Sequence, residues 1–140
     1  MYPNQKGTTL TDESATYIII RRGGTPAENK YTVIHELGHG YFGHPLVDSK
    51  YGKTFAYDNQ YEYQAERFAV DVLAPACVLW GLDLHTAKDI SEVCNISMSS
   101  AQIRAERMAV LYQRNRFLTS PLERQVFSQF SDFIKQHKLR

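Results

Sequence analysis

Residues 31–44 read YTVIHELGHGYFGH, and the placement of two histidines and one acid within them decides what the chain can be. Just upstream, Thr25, Pro26 and Glu28 have the pattern of a helix start, with a capping threonine, proline at the first helical position and glutamate two residues later. Ala27, Tyr31, Ile34 and Leu37 then recur at helical spacing and Gly40 follows, which predicts an apolar stripe on a helix of roughly 14 residues with His35 to His39 in its last turn. Residues four apart on a helix are rotated by only about 40°, so the imidazoles of His35 and His39 converge on a single ion. Glu36 points about 100° away from His35, outside that ligand pair but within reach of a water on the ion. Zinc lowers the pKa of such a water toward ~7, where a neighbouring carboxylate can take its proton and pass it to a leaving amine. A lone histidine on a helix is more often core filler. At this chain's own His and Glu frequencies, however, H-E-x-x-H is expected by chance only about 0.01 times, so we read His35 and His39 as metal ligands and Glu36 as general base.

A catalytic zinc takes three protein ligands and leaves one position for water. The predicted helix from Tyr61 to Ala74, ended by Pro75, offers Glu62 and Glu66 four apart on one face and carries a packing side of Ala65, Phe68, Ala69, Val72 and Leu73. Isolated acids at that spacing are usually solvated. Here Glu62 reads as the ligand and Glu66 as the carboxylate that orients a ligating imidazole, with the reverse assignment open.

Composition adds limits. The chain of 140 residues, 43% hydrophobic and 22% charged, is long enough for one domain with its own core, and its net charge of +1 gives no global case for nucleic acid or an anionic membrane. Cys77 and Cys94 show no metal spacing and read as buried thiols of a reducing compartment. The start, MYPNQKGTTLTDES, has no charged segment followed by an apolar one. Its apolar runs, such as Tyr17 to Ile20, fall far short of the ~20 residues that span a bilayer. The expectation is a soluble cytoplasmic protein without a membrane partner.

Along the chain, the first fifteen residues read as a loose leading segment, and Ala15 to Arg22, closed by Gly23 and Gly24, as the one clear strand. His44 to Gln60 reads as loop with a short strand at Lys53 to Tyr57. After a turn near Gly81 to Leu84, helices are predicted over Thr86 to Cys94 and Ser99 to Phe117, joined by Asn95-Ile96-Ser97, and a last amphipathic helix over Pro121 to Leu139 with Val126, Phe127, Phe130 and Ile134 as its stripe. The fold class is α+β, a small sheet packed on helices with zinc held between the two ligand-bearing helices. Residues 1–140 form a single domain in this reading, with a zinc-site core over 15–75 and a helical part over 76–140.

These segments resemble the ImmA/IrrE family of zinc-dependent metallo-endopeptidases. YTVIHELGHGYFGH followed by EYQAERFAVDVLAP is similar to the family's H-E-L-G-H with a downstream E-x-x-A-x-x-F-A and proline, and DISEVCNISMSSAQIRAERMAVL resembles its following helical segment. Glu66 stands where the family more often has Asn or Asp, and Leu73-Ala74-Pro75 where it has Leu-Met-Pro. The resemblance implies a zincin-like, gluzincin-like fold, Zn2+ as cofactor, His35, His39 and Glu62 as ligands and Glu36 as base. It also implies a protein substrate, a helix-turn-helix repressor of a mobile element, phage or stress regulon.

Other residues are less constrained. His44 lies past Gly40 and before Pro45 and reads as a rim or substrate contact rather than a fourth ligand. Tyr57, Tyr61 and His85 carry donors able to stabilise a tetrahedral intermediate, and spacing selects none of them. Segment 86–117 resembles a helix-turn-helix, but five basic against three acidic residues is too small an excess for strong phosphate binding, so direct contact with nucleic acid is not expected. The alternative to an enzyme is a non-catalytic interaction module, with structural zinc or none, that binds a repressor or DNA.

Overall fold

The computed structural model describes residues 5–138, an α+β chain with a four-stranded antiparallel sheet and, among those residues, seven helices. The chain divides between Val72 and Leu73 into two compact units. No helix among the described residues is long and apolar enough to cross a membrane.

In the first unit the strands β1 (Gly7–Thr11), β2 (Thr16–Ile20), β3 (Leu46–Ser49) and β4 (Gly52–Phe55) lie in the order β2-β1-β4-β3. A strand thus forms where a loose leading segment was expected. β1 and β2 pair from Gly7↔Ile20 to Thr11↔Thr16. The turn between them is fixed by Asp12, whose Oδ1 accepts hydrogen bonds from the Ser14 and Ala15 N–H groups and the Ser14 hydroxyl, which also holds its carboxyl below the usual range. β3 and β4 form a second hairpin in register Ser49↔Gly52, so the predicted strand at Lys53 to Tyr57 begins one residue earlier, ends at Phe55 and has a partner in a stretch read as loop.

The helix α1 (Pro26–Tyr41) begins as its sequence predicts, with the Thr25 hydroxyl accepting from the Glu28 N–H. It is two residues longer than expected and Gly40 lies inside it. Its buried face is not the predicted apolar stripe: Leu37 is half exposed, while Thr32, Glu36, Gly38 and His39 are buried. α1 sits so close to the sheet that a Cβ at Gly7 would run into the Thr32 methyl. The helix α2 (Asn59–Leu73) starts before Tyr61 because the Asp58 carboxylate accepts from the Gln60 N–H. Ala65, Ala69 and Val70 are its buried residues, and Val72, expected on the packing side, is exposed. α1 and α2 meet where Gly38 faces Phe68: a Cβ there would lie 3.0 Å from Phe68 Cδ1 and 3.2 Å from its Cβ and Cγ.

The second unit is helical. α3 (Ala76–Gly81) follows Pro75 and was not predicted, while α4 (Ala87–Cys94) and α5 (Met98–Arg114) are capped by Thr86 and Ser97. Asn95 takes the left-handed conformation that turns one helix into the next. Leu79, Ile90, Ala101 and Met108 form one core cluster, and the buried Arg104 donates from Nε to the Ala74 carbonyl at 2.7 Å. Cys77 belongs to a second cluster with Val78 and Ile134, and Cys94 packs on the first. The expected last helix is two, α6 (Pro121–Gln129) and α7 (Ser131–Lys138), broken at Phe130; Leu139 lies outside the described residues.

Candidate metal centre

Three side chains converge in the first unit. Nε2 of His35 lies 2.9 Å from Glu62 Oε2, Nε2 of His39 lies 3.3 Å from Glu62 Oε1, and the two imidazole nitrogens are 3.3 Å apart. One ligand atom from each residue fits within 4.8 Å of the others. Ligands at 2.0–2.1 Å around a tetrahedral ion are separated by roughly 3.3 Å, so the nitrogens already stand at the spacing such an ion needs. Helical periodicity explains the convergence: His35 and His39 are four apart on α1, and Glu62 sits one turn inside α2, beyond the Asp58 cap. The hydrogen bond from His35 first, and the neighbouring His39 ring second, hold the Glu62 carboxyl down at about 2, so it is an anion at neutral pH. His39 is buried, ring-stacked on Phe55 of β4 at 5.2 Å. Beside the cluster, burial first and then the fields of Glu66 and Glu62 push the Tyr31 phenol up to about 12.

Glu36 is 8% exposed and lies on the buried side of α1 with His39. The Thr9 hydroxyl donates to its Oε2 at 2.6 Å, and Thr9 is itself 3% exposed. β1 therefore holds one oxygen of this carboxylate. Thr9 escapes sequence reading because the inward residues of β1 are Gly7 and Thr9, which show no apolar alternation.

The remaining candidates are dispersed. Glu66 is exposed and stands outside the cluster, reaching Tyr31 through its field. His44, expected at a rim, is 6% exposed and contacts His39 directly, Nδ1 to Nδ1 at 2.8 Å. Tyr61 stacks on His44 at 4.5 Å. Tyr57 is exposed and bonded to Asn59. His85 belongs to the second unit, where it pairs with Asp83 at 2.7 Å and stacks on Tyr112.

Over residues 3–106 the sequence matches the model of a peptidase family, Peptidase_M78, described as the IrrE N-terminal-like domain. The chain belongs to that family. No curated protein and no solved structure matches it. Membership in the IrrE N-terminal-like family makes this a metallopeptidase-like protein, and the match spans every residue of the His35, His39 and Glu62 group, which could bind a metal.

Proposed function

We propose that this IrrE-like protein is a zinc-dependent endopeptidase with a zincin-like centre, which makes a site-specific cut in a helix-turn-helix repressor in the cytoplasm. The observation that carries the reading is the group of three ligand atoms from two helices within 4.8 Å of one another. Three protein ligands is the number that leaves a position for water, whereas structural zinc sites carry four. That favours an enzyme over an interaction module.

His35, His39 and Glu62 would hold the ion. Bound there, zinc supplies Lewis acidity, polarising a carbonyl oxygen and making water acidic enough to lose a proton near neutral pH. The proton goes to Glu36. Because Thr9 occupies Oε2, Oε1 is the oxygen left to receive it and to return it to the leaving amine. An extended peptide can add to β3, which lies at the sheet edge with all four residues exposed and begins two residues after His44. The reading is tested by Glu36→Gln, which should retain bound zinc and lose cleavage when incubated with repressors encoded beside this chain. A fully active variant would refute the assigned base, and zinc-independent cleavage would refute the metal.

A further inference from the structure

His44 is a buried ring that no step above uses. Its faces are covered by Phe42 at 5.7 Å and 16° and by Tyr61 at 4.5 Å and 26°. Its two nitrogens are both engaged: Nε2 lies 2.7 Å from Gln64 Oε1 and Nδ1 lies 2.8 Å from His39 Nδ1. An amide carbonyl oxygen only accepts, so His44 Nε2 carries the N–H. A neutral imidazole has one N–H, which leaves a lone pair on His44 Nδ1. His39 Nδ1 must then be the donor of the bond between the rings, and His39 Nε2 is left with a lone pair. That nitrogen is the one 3.3 Å from Glu62 Oε1. Two lone pairs facing each other at that distance suit a cation between them, not a hydrogen bond.

We infer that Gln64 and His44 are positioning residues: they hold His39 in the tautomer and ring orientation that ligate a metal. The inference rests on the metal reading above and adds what sets its affinity. Support of the centre is one-sided, since His35 Nδ1 is buried and has no hydrogen-bond partner. Partners of ligating histidines fix tautomer and basicity, and their loss typically costs 10–100-fold in metal affinity.

The test uses the full chain and Zn2+ in competition with a chromophoric chelator. His44→Phe keeps the aromatic stack and removes both hydrogen bonds, and should weaken zinc binding by roughly 10–100-fold. His44→Asn places a carbonyl oxygen where Nδ1 stood, accepts the same N–H and should return affinity to near the native value. Gln64→Leu, on the partly exposed side of α2, should weaken binding without unfolding the chain. Independently, long-range proton–nitrogen spectra of the metal-free native protein should show the His39 proton on Nδ1. In His44→Phe it should move to Nε2, toward Glu62. Native affinity in both His44→Phe and Gln64→Leu, or a native His39 protonated on Nε2, overturns the relay while leaving the zinc site intact. A native chain that takes no zinc yet shows the Nδ1 proton supports the relay and removes the proposed function instead.

Discussion

Thr9→Val replaces one hydroxyl on the buried side of β1 by a methyl and leaves the side-chain shape nearly unchanged. What disappears is the 2.6 Å bond to Glu36 Oε2. A hydrogen bond to a charged group is worth about 1.5–3 kcal/mol, and with Thr9 at 3% and Glu36 at 8% exposure water has little room to replace it. The extra buried methyl returns about 0.8 kcal/mol, so the net loss is roughly 1–2 kcal/mol. For a chain of this length that lowers Tm by roughly 3–8 °C. The assay is thermal unfolding of the metal-free protein followed by far-ultraviolet circular dichroism. The single tryptophan, Trp80, belongs to the second unit and is the wrong probe for a change in β1. In a Glu36→Gln background the acceptor is neutral and its bond is worth only ~0.5–1.5 kcal/mol, so the same substitution should cost about 1 kcal/mol less there. Thr9→Ser keeps the donor and should retain activity, whereas Thr9→Val frees Glu36, the proposed general base, to turn and should slow cleavage by at least about tenfold. Equal stability of Thr9→Val and the native chain, or an identical cost in both backgrounds, would show that the hydroxyl does not hold the carboxylate.

Other substitutions probe the rest of the unit. Gly38→Ala should cost about 1–3 kcal/mol in overpacking against Phe68, partly offset by ~1 kcal/mol of helix propensity, and should weaken zinc binding because Phe68 and Glu62 ride the same helix. Gly40→Ala, whose new Cβ would meet only Phe55 Cζ at 4.0 Å, should instead stabilise α1 by about 0.5–1 kcal/mol in the same unfolding assay. Zinc at a thousand times its Kd should stabilise the native chain by about 4 kcal/mol, and a chelator should reverse the shift in Tm. Glu62→Gln removes the anion of the proposed ligand set and should abolish most of that shift while the metal-free chain still folds.

The helix that carries His35, Glu36 and His39 is legible in the sequence because its signals are local: Thr25 caps it, Pro26 opens it, and the convergence of histidines at i and i+4 needs nothing beyond helical geometry. The same holds for α4 and α5, whose capping residues Thr86 and Ser97 sit where the chain turns. β1 is illegible for the opposite reason. Its inward residues answer to a buried carboxylate and a closely packed helix, so they are Thr9 and Gly7, and hydrophobic alternation vanishes where the buried neighbour is Glu36. His44 follows a glycine turn and precedes a proline, which reads as exposed loop, yet rings 42 and 61 enclose it through contacts that no spacing rule encodes. Leu37 fits the helical period and is nevertheless half exposed, because α1 turns the face of Thr32, Glu36 and His39 inward. The break at Phe130 between α6 and α7 carries no Pro or Gly, and nothing in the local sequence marks it.

The most direct measurement is an anomalous difference map at the zinc edge from crystals grown with zinc in excess. One peak bonded to Nε2 of His35, Nε2 of His39 and a carboxylate oxygen of Glu62 is the expected result. A map with no peak there, or with those three side chains turned away from one another, would contradict the centre from which the chemistry is derived.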